Sequence, residues 1–247
     1  MILHVIQSQL FWENINQNIL RFNWHLDNTE PGSIVVLPEM FSTGFTMNPS
    51  EVAETMEGLS VNWMKEKSVD RLICGSLAIK ERDKFFNRFL AVYQGEIISQ
   101  YDKNQLFSFG NEDKLYMEGT KSVNFEFQGW KIAPFICYDL RFPELMRQQA
   151  GADIMIFSAN WPKKRISAWN TLLPARAVEN QCYVVGVNRV GKDANDIEHN
   201  GCSQVLQYDG TYLLDPQKDN EVMATVLLEK GKLHKFRRLY PFLKDKK

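Results

Sequence analysis

Apolar residues recur along this chain in two alternating rhythms. The run from Ile2 to Leu10 reads as a strand, and the segment behind it sets Ile15, Ile19, Phe22 and Leu26 on one face of a helix. Pro31-Gly32 breaks the chain before an apolar run at 34–37, which gives a βαβ opening. A short helix over 61–67 precedes a strand at 72–79, and 86–93 with 96–101 form a hairpin turned at Gln94-Gly95.

The second half keeps the same style. Strands near 123–127 and 131–136 lead to a polar elbow at Cys137; Pro143 suits the first turn of a helix over 144–150, which Gly151 closes. A strand at 154–158, a helix at 168–180 and a strand at 182–188 follow, then short strands near 203–207, 211–214 and 222–228. Hairpins mixed with βα units predict an α/β fold in which helices cover sheets, not a regular eight-fold barrel. Pro and Gly are spread without a linker, so one domain over 1–247 is expected.

Composition narrows the function. With 29 basic and 30 acidic residues the net charge is −1, so no bulk field favours nucleic acid or a membrane, and a small-molecule partner is expected. The basic run Lys235-Phe-Arg-Arg238 to Lys244-Asp-Lys-Lys247 reads as a solvated tail. The start, Met1-Ile-Leu-His-Val-Ile, lacks a charged leader and a long apolar core, and the cysteines at 74, 137, 182 and 202 form neither CxxC pairs nor a disulfide framework. A cytoplasmic protein with reduced thiols is the expectation.

Metal and phosphate chemistry find no support. His4, His25, His199 and His234 are scattered without ligand spacing, and the Gly-rich phosphate motifs and GxSxG are absent, so neither metal nor cofactor is expected. Three segments instead deliver reactive groups at strand ends. Ile34-Val-Val-Leu-Pro-Glu39 ends in a carboxylate, Tyr101-Asp-Lys103 in an amine, and Ile132-Ala-Pro-Phe-Ile136 in the Cys137 thiol. A carboxylate after a core strand is costly unless paired or placed in a site. A thiol at a strand-to-helix elbow is rigid and accessible, and helix N–H groups and cations there favour thiolate. Cys74 and Cys182 sit in apolar runs and read as core, and Cys202 reads as structural.

The wording of these segments resembles a known family. Leu37-Pro-Glu-Met-Phe-Ser-Thr-Gly-Phe45, Tyr101-Asp-Lys-Asn-Gln-Leu-Phe107 and Phe135-Ile-Cys-Tyr-Asp-Leu-Arg-Phe-Pro-Glu-Leu145 are similar, in order, to the three signature blocks of the nitrilase (carbon–nitrogen hydrolase) superfamily. Asn160-Trp-Pro162 and Ala175-Arg-Ala-Val-Glu-Asn180 extend the likeness. Within it, the first block, Glu112 and Tyr116 before Gly119 look most like the omega-amidases, which deamidate 2-oxoglutaramate and 2-oxosuccinamate. Where the family has histidine two residues beyond the lysine, this chain has Gln105.

The resemblance implies an α-β-β-α sandwich of two mixed sheets flanked by helices, a homodimer, and cysteine-dependent hydrolysis of a small amide. It implies Glu39 as general base, Lys103 as oxyanion stabiliser, Cys137 as nucleophile and Glu112 as second carboxylate, with Glu118 a neighbouring competitor for that last role. The backbone N–H of Tyr138 would assist at the oxyanion, and Phe41, Phe45 and Trp161 would wall the substrate pocket. Arg141 is implied to be a structural ion-pair residue. A related amidase for a carbamoyl or deaminated thiol-peptide substrate is the runner-up, and a non-catalytic binding module on the same scaffold is the reading from another class.

Overall fold

The first half of the chain forms most of one sheet with its helices: β1 (Ile2–Gln7), α1 (Ile15–Leu26), β2 (Ile34–Val36), the single turn α2 (Pro49–Val52), α3 (Leu59–Lys67), β3 (Leu72–Glu81), β4 (Lys84–Tyr93) and β5 (Glu96–Asp102). The second supplies β6 (Phe125–Phe127), β7 (Trp130–Ile136), α4 (Pro143–Gln148), β8 (Ile154–Ala159), α5 (Ile166–Asn180) and β9 (Tyr183–Asn188). The chain closes with β10 (Val190–Lys192), β11 (Glu198–Leu206), β12 (Tyr212–Lys218), β13 (Val222–Leu227) and α6 (Lys230–Leu239). The computed structural model describes residues 1–245, so Lys246 and Lys247 of the basic run lie outside the described residues.

Two mixed sheets result, ordered β13-β1-β2-β3-β4-β5 and β10-β11-β9-β8-β7-β6, with β12 on β11. Each has a parallel centre, β1-β2-β3 and β7-β8-β9, and antiparallel flanks. Strand alternation sorts the core into layers. Val35, Ile73 and Leu90 gather with Phe22 of α1 and Trp63 of α3, while their neighbours Val36, Cys74 and Phe89 join Phe135 and Phe157 of the other sheet. Trp169 and Leu173 of α5 cover the second sheet. The architecture is therefore α-β-β-α, as the resemblance implied. The Ser158 hydroxyl donates to the Leu37 carbonyl at 2.9 Å, tying β8 to the chain just beyond β2.

Several boundaries differ from the sequence reading. The first strand stops at Gln7, whose side-chain amide turns to donate to the Gln217 and Asn220 carbonyls. The β3–β4 hairpin runs to Glu81 and Lys84 around a left-handed Arg82; the charged run Lys80-Glu-Arg-Asp-Lys84 hides it from any apolar pattern. The short β10, the start of β11 at Glu198 and the one-turn α2 lacked any pattern long enough to read.

The solvated tail is the main correction. Residues 230–239 form α6, with Leu233 fully buried and Arg237 bonded to the Asp153 carboxylate and the Gln181 carbonyl. Two apolar contacts, the buried Leu233 and the half-buried Phe236, among five lysine and arginine side chains are too sparse a stripe to stand out. Leu233→Ala is expected to lower unfolding stability by about 2–5 kcal/mol in a denaturant titration, as for other buried leucines. The exposed Arg238→Ala should stay within about 0.5 kcal/mol.

Candidate active site

The parallel centres of both sheets point their carboxyl ends at one place, where ligands of open α/β sheets commonly bind. Glu39 lies three residues beyond β2, and Asn160 directly follows β8. The turn after Glu39 is pinned to β3, because the Met40 N–H donates to the Ser76 hydroxyl at 2.9 Å and the Phe41 N–H to the Ser76 carbonyl at 3.2 Å. Cys137 follows β7 with φ at 44°, a left-handed conformation that is strained for a side-chain-bearing residue. The Asp139 carboxylate holds this elbow, accepting from the Ile136 N–H at 2.8 Å, the Gln105 N–H at 2.9 Å and the Tyr101 hydroxyl at 2.9 Å. The Cys137 turn and the lysine loop are thereby one unit.

Lys103 directly follows β5, with its ammonium buried between two carboxylates. Its Nζ lies 2.9 Å from Glu39 Oε1, and 3.0 and 2.9 Å from the two Glu112 oxygens. Asn87 donates to both acids, at 2.8 Å to Glu39 and 3.1 Å to Glu112. The Asn160 N–H adds 2.8 Å to Glu39 Oε2, and the Phe107 N–H 2.7 Å to Glu112 Oε2. Gly119 lets the chain close over this lysine: its N–H donates to the Lys103 carbonyl at 2.8 Å, and a Cβ there would meet the Asp102 carbonyl oxygen at 2.1 Å.

The electrostatics follow from burial. Desolvation alone would lower the Lys103 pKa, but Glu112 and Glu39 raise it overall, so the ammonium is permanent. Glu112 is raised, first by burial. The Cys137 thiol is pushed well above its ordinary range, by burial first and then by the Glu39 carboxylate, with Lys103 opposing. This corrects the expectation of a thiolate favoured by a helix. A tight 3₁₀ turn, Cys137–Arg141, stands between the sulfur and α4, so no α-helical N-terminus faces it.

These groups open onto a cavity of about 150 Å³. Glu39, Lys103, Cys137, Tyr138, Phe45 and Trp161 all line it, with the Phe45 ring 5.0 Å from the Lys103 Nζ. Glu112 stands behind the lysine, whereas Glu118 is exposed and, among the described residues, forms no ion pair with it. Phe41 departs from the sequence reading: it is buried on the helix side, against Phe22 and Trp63 at 5.5 and 5.6 Å, in room left by Gly75. Arg141 also departs, since it lines the cavity with its guanidinium 5.1 Å from the Trp161 ring and forms no ion pair among the described residues.

Sequence reasoning missed Asn87, Phe107, Arg165 and His199. The one signal was at Asn87, an amide in strand phase with the inward Phe89 and Ala91 of β4. His199 reaches the cavity from β11, but burial lowers it to about 4 and its Nδ1 engages the Ile197 carbonyl, so it is a neutral wall. Gln105 contributes its backbone N–H, and its side chain is not part of the cavity wall. Among the described residues no group of three or more His, Cys, Asp or Glu is arranged for a metal, and no helix is long and apolar enough to cross a membrane.

Comparison with known proteins decides the family. The carbon-nitrogen hydrolase family model matches residues 4–238. The chain belongs to the carbon-nitrogen hydrolase family. It is 38% identical over 245 residues to the omega-amidase YafV of Yersinia enterocolitica, covering 98% of this chain and 95% of that one. It is 30% identical over 226 residues to the 2-oxoglutaramate amidase of Bacillus subtilis, covering 88% and 87%. A CN-hydrolase superfamily protein of Xanthomonas campestris, solved with an arsenic adduct in its active site, superposes with a TM-score of 0.93 at 33% identity, covering 99% and 96%. This carbon-nitrogen hydrolase is therefore a hydrolase of a non-peptide amide bond.

A buried neutral thiol has a visible consequence. Alkylation of Cys137 by iodoacetamide, followed by mass spectrometry, should still be accelerating at pH 9, because the thiol has not finished ionising there. A plateau reached below pH 8 would show a preformed thiolate and contradict the arrangement.

Proposed function

We propose that this carbon-nitrogen hydrolase is a cysteine-dependent omega-amidase, releasing ammonia from the terminal amide of small 2-oxo dicarboxylic acid monoamides. The observation that carries it is the meeting of Cys137, Glu39 and Lys103 at one cavity, with the lysine ammonium 2.9 Å from the Glu39 carboxylate. The relatives' names and the small cavity support the substrate class.

Charge conservation suggests the course of the reaction. Lys103, Glu39 and Glu112 carry +1, −1 and −1, so a resting thiolate would bring a second excess negative charge into a buried site. Glu39 instead takes the Cys137 proton as sulfur attacks the amide carbon. The negative charge passes from Glu39 to the new oxyanion, and the Lys103 ammonium, held by Glu112, turns from one to the other with the Tyr138 N–H assisting. Collapse breaks the C–N bond, and Glu39 gives its proton to the departing amine as ammonia. Glu39 then takes a proton from water as its oxygen attacks the thioester, and returns it to the sulfur leaving group. Amide and water become carboxylic acid and ammonia, and the enzyme is restored.

The test is ammonia release from a panel of 2-oxo amides, amino acid amides, N-carbamoyl compounds and nitriles. We expect kcat/KM for 2-oxosuccinamate or 2-oxoglutaramate to exceed that for glutamine and asparagine by at least about 10², as for sites that pair a substrate's polar groups. Folded Cys137→Ala should show no turnover, and Glu39→Gln should lose about 10²–10⁴ in kcat. Better turnover of an N-carbamoyl compound or a nitrile would overturn the substrate class. Near-normal kcat in Glu39→Gln would overturn the base.

A further inference from the structure

The two active-site acids differ as acceptors, oxygen by oxygen. A carboxylate oxygen offers two lone pairs. On Glu112, Oε1 takes the Lys103 ammonium at 3.0 Å and the Asn87 amide at 3.1 Å, and Oε2 takes the ammonium at 2.9 Å and the Phe107 N–H at 2.7 Å. On Glu39, Oε1 takes the ammonium at 2.9 Å and the same amide at 2.8 Å. Glu39 Oε2 takes only the Asn160 N–H, at 2.8 Å, among the described residues. The acceptor position left open in the pair thus belongs to Glu39 Oε2, on the carboxylate that lines the cavity with Cys137.

Asn87 supplies the neutral donor on both Oε1 atoms. Its side chain is buried on β4, and its carbonyl accepts the Lys103 N–H at 3.0 Å, so one residue holds the lysine's backbone and both of its counter-ions. Its neighbour Arg88 bonds to Asp102 at 2.6 and 3.0 Å and to Glu81 at 2.8 Å, locking β4 to β5 from the opposite face. Ionised carboxylates only accept, so the amide turns its NH2 end to them, and its Oδ1 is left buried without a partner. An unmet buried acceptor is costly, and here that cost places two donors on the acids. The charged groups about the amide are Glu39, Glu112 and Lys103, with the Tyr116 phenol and the Cys137 thiol in their field.

Lys103 has every N–H bond of its ammonium engaged on the acids, so it can donate to an oxyanion only by releasing one of them. We propose that Asn87 is a positioning residue that keeps Glu39 Oε1 occupied as Lys103 turns away, so that the Cys137 proton goes to Oε2 alone. This rests on the amidase chemistry proposed above and adds to it which oxygen is the base and what holds it. The S–H bond breaks as the Oε2–H bond forms, and sulfur keeps the electron pair with which it attacks the amide carbon. Glu112, with both oxygens filled, has no position for that proton. Without Asn87 each acid gains an open Oε1, where a solvent proton can lodge unproductively, and the ammonium becomes the sole bridge between two carboxylates. Losing a donor favours the protonated form of a carboxylate, so the basic form of the pair would be lost at a higher pH.

The experiment measures kcat and KM against pH for the wild type, Asn87→Ser, Asn87→Leu and Asn87→Asp, each checked as folded by circular dichroism. The substrate is 2-oxoglutaramate, or whichever amide of the panel above the wild type hydrolyses fastest. A failed 2-oxo reading then shows in the wild type's ranking and leaves this comparison intact. Asn87→Leu, close in size but without a donor, should lose about 10- to 100-fold in kcat, the range for hydrogen bonds to charged groups, with KM within about threefold. The acid limb of its profile should move up by about one pH unit. Asn87→Ser keeps a donor and should lie between Asn87→Leu and the wild type. Asn87→Asp has the native shape but adds a third carboxylate, and should fall below Asn87→Leu at pH 8; a merely structural role gives the reverse order. Should Asn87→Leu not fold, the Asn87→Ser and Asn87→Asp profiles decide, and both must show the raised acid limb. The proposal is overturned by a kcat of Asn87→Leu within about threefold of the wild type, a loss confined to KM, Asn87→Asp outperforming Asn87→Leu, or an unmoved acid limb in the folded variants. Near-normal kcat in Glu39→Gln would sink the base and this proposal together, whereas an impaired Glu39→Gln beside an unaffected Asn87→Leu would sink this proposal alone.

Discussion

A single ammonium buried between two carboxylates sets the terms for the rest of the active site. Lys103 has almost no contact with solvent, so its charge survives only because Glu39 and Glu112 surround it. Removing the ammonium from such a cluster leaves its buried carboxylates uncompensated, at a typical cost of about 3–5 kcal/mol. That dependence explains the surrounding detail. Asn87 spans the two acids, Asn160 and Phe107 spend backbone N–H groups on them, and the chain must pass Asp102 at a glycine. Burial first, and then the Glu39 carboxylate, push the Cys137 thiol well above its ordinary range, against the opposing Lys103 ammonium.

The sandwich serves this cluster by bringing four strand ends to one point. β2 and β5 belong to one sheet, β7 and β8 to the other, so the site exists only when the sheets are packed face to face. Ser158 binding the Leu37 carbonyl and Asn160 binding Glu39 cross that junction directly. Asp139 adds the coupling between the strained Cys137 turn and the lysine loop. The left-handed backbone at Cys137 is therefore held from several directions, as a strained functional residue must be.

What the sequence disclosed follows from which physical signals are local. Glu39, Lys103 and Cys137 were legible because a polar group ending an apolar strand is anomalous within a few residues. The layered fold was legible through strand alternation, and its full form through the resemblance. Asn87 was obscure, since one amide among Phe86, Arg88 and Phe89 acquires meaning only when β4 is registered beside β3 and β5. Phe41 was misplaced because an aromatic after Glu39 is equally compatible with cavity and core until the turn at Met40 is known. Arg141 and Arg165 lie far apart in sequence, and only the fold brings them to one cavity wall. Leu233 and Arg237 gave α6 too few anchors to betray a packed helix.

The most direct measurement of the central claim is a double-mutant cycle on kcat/KM with Lys103→Met, Glu112→Gln and the combined variant, each verified as folded by circular dichroism. If Glu112 acts by holding Lys103, it has nothing left to hold once the lysine is gone. The combined variant should then fall within about threefold of Lys103→Met alone, the signature of residues acting as a unit. Losses that multiply through the cycle would show independent action and contradict the account.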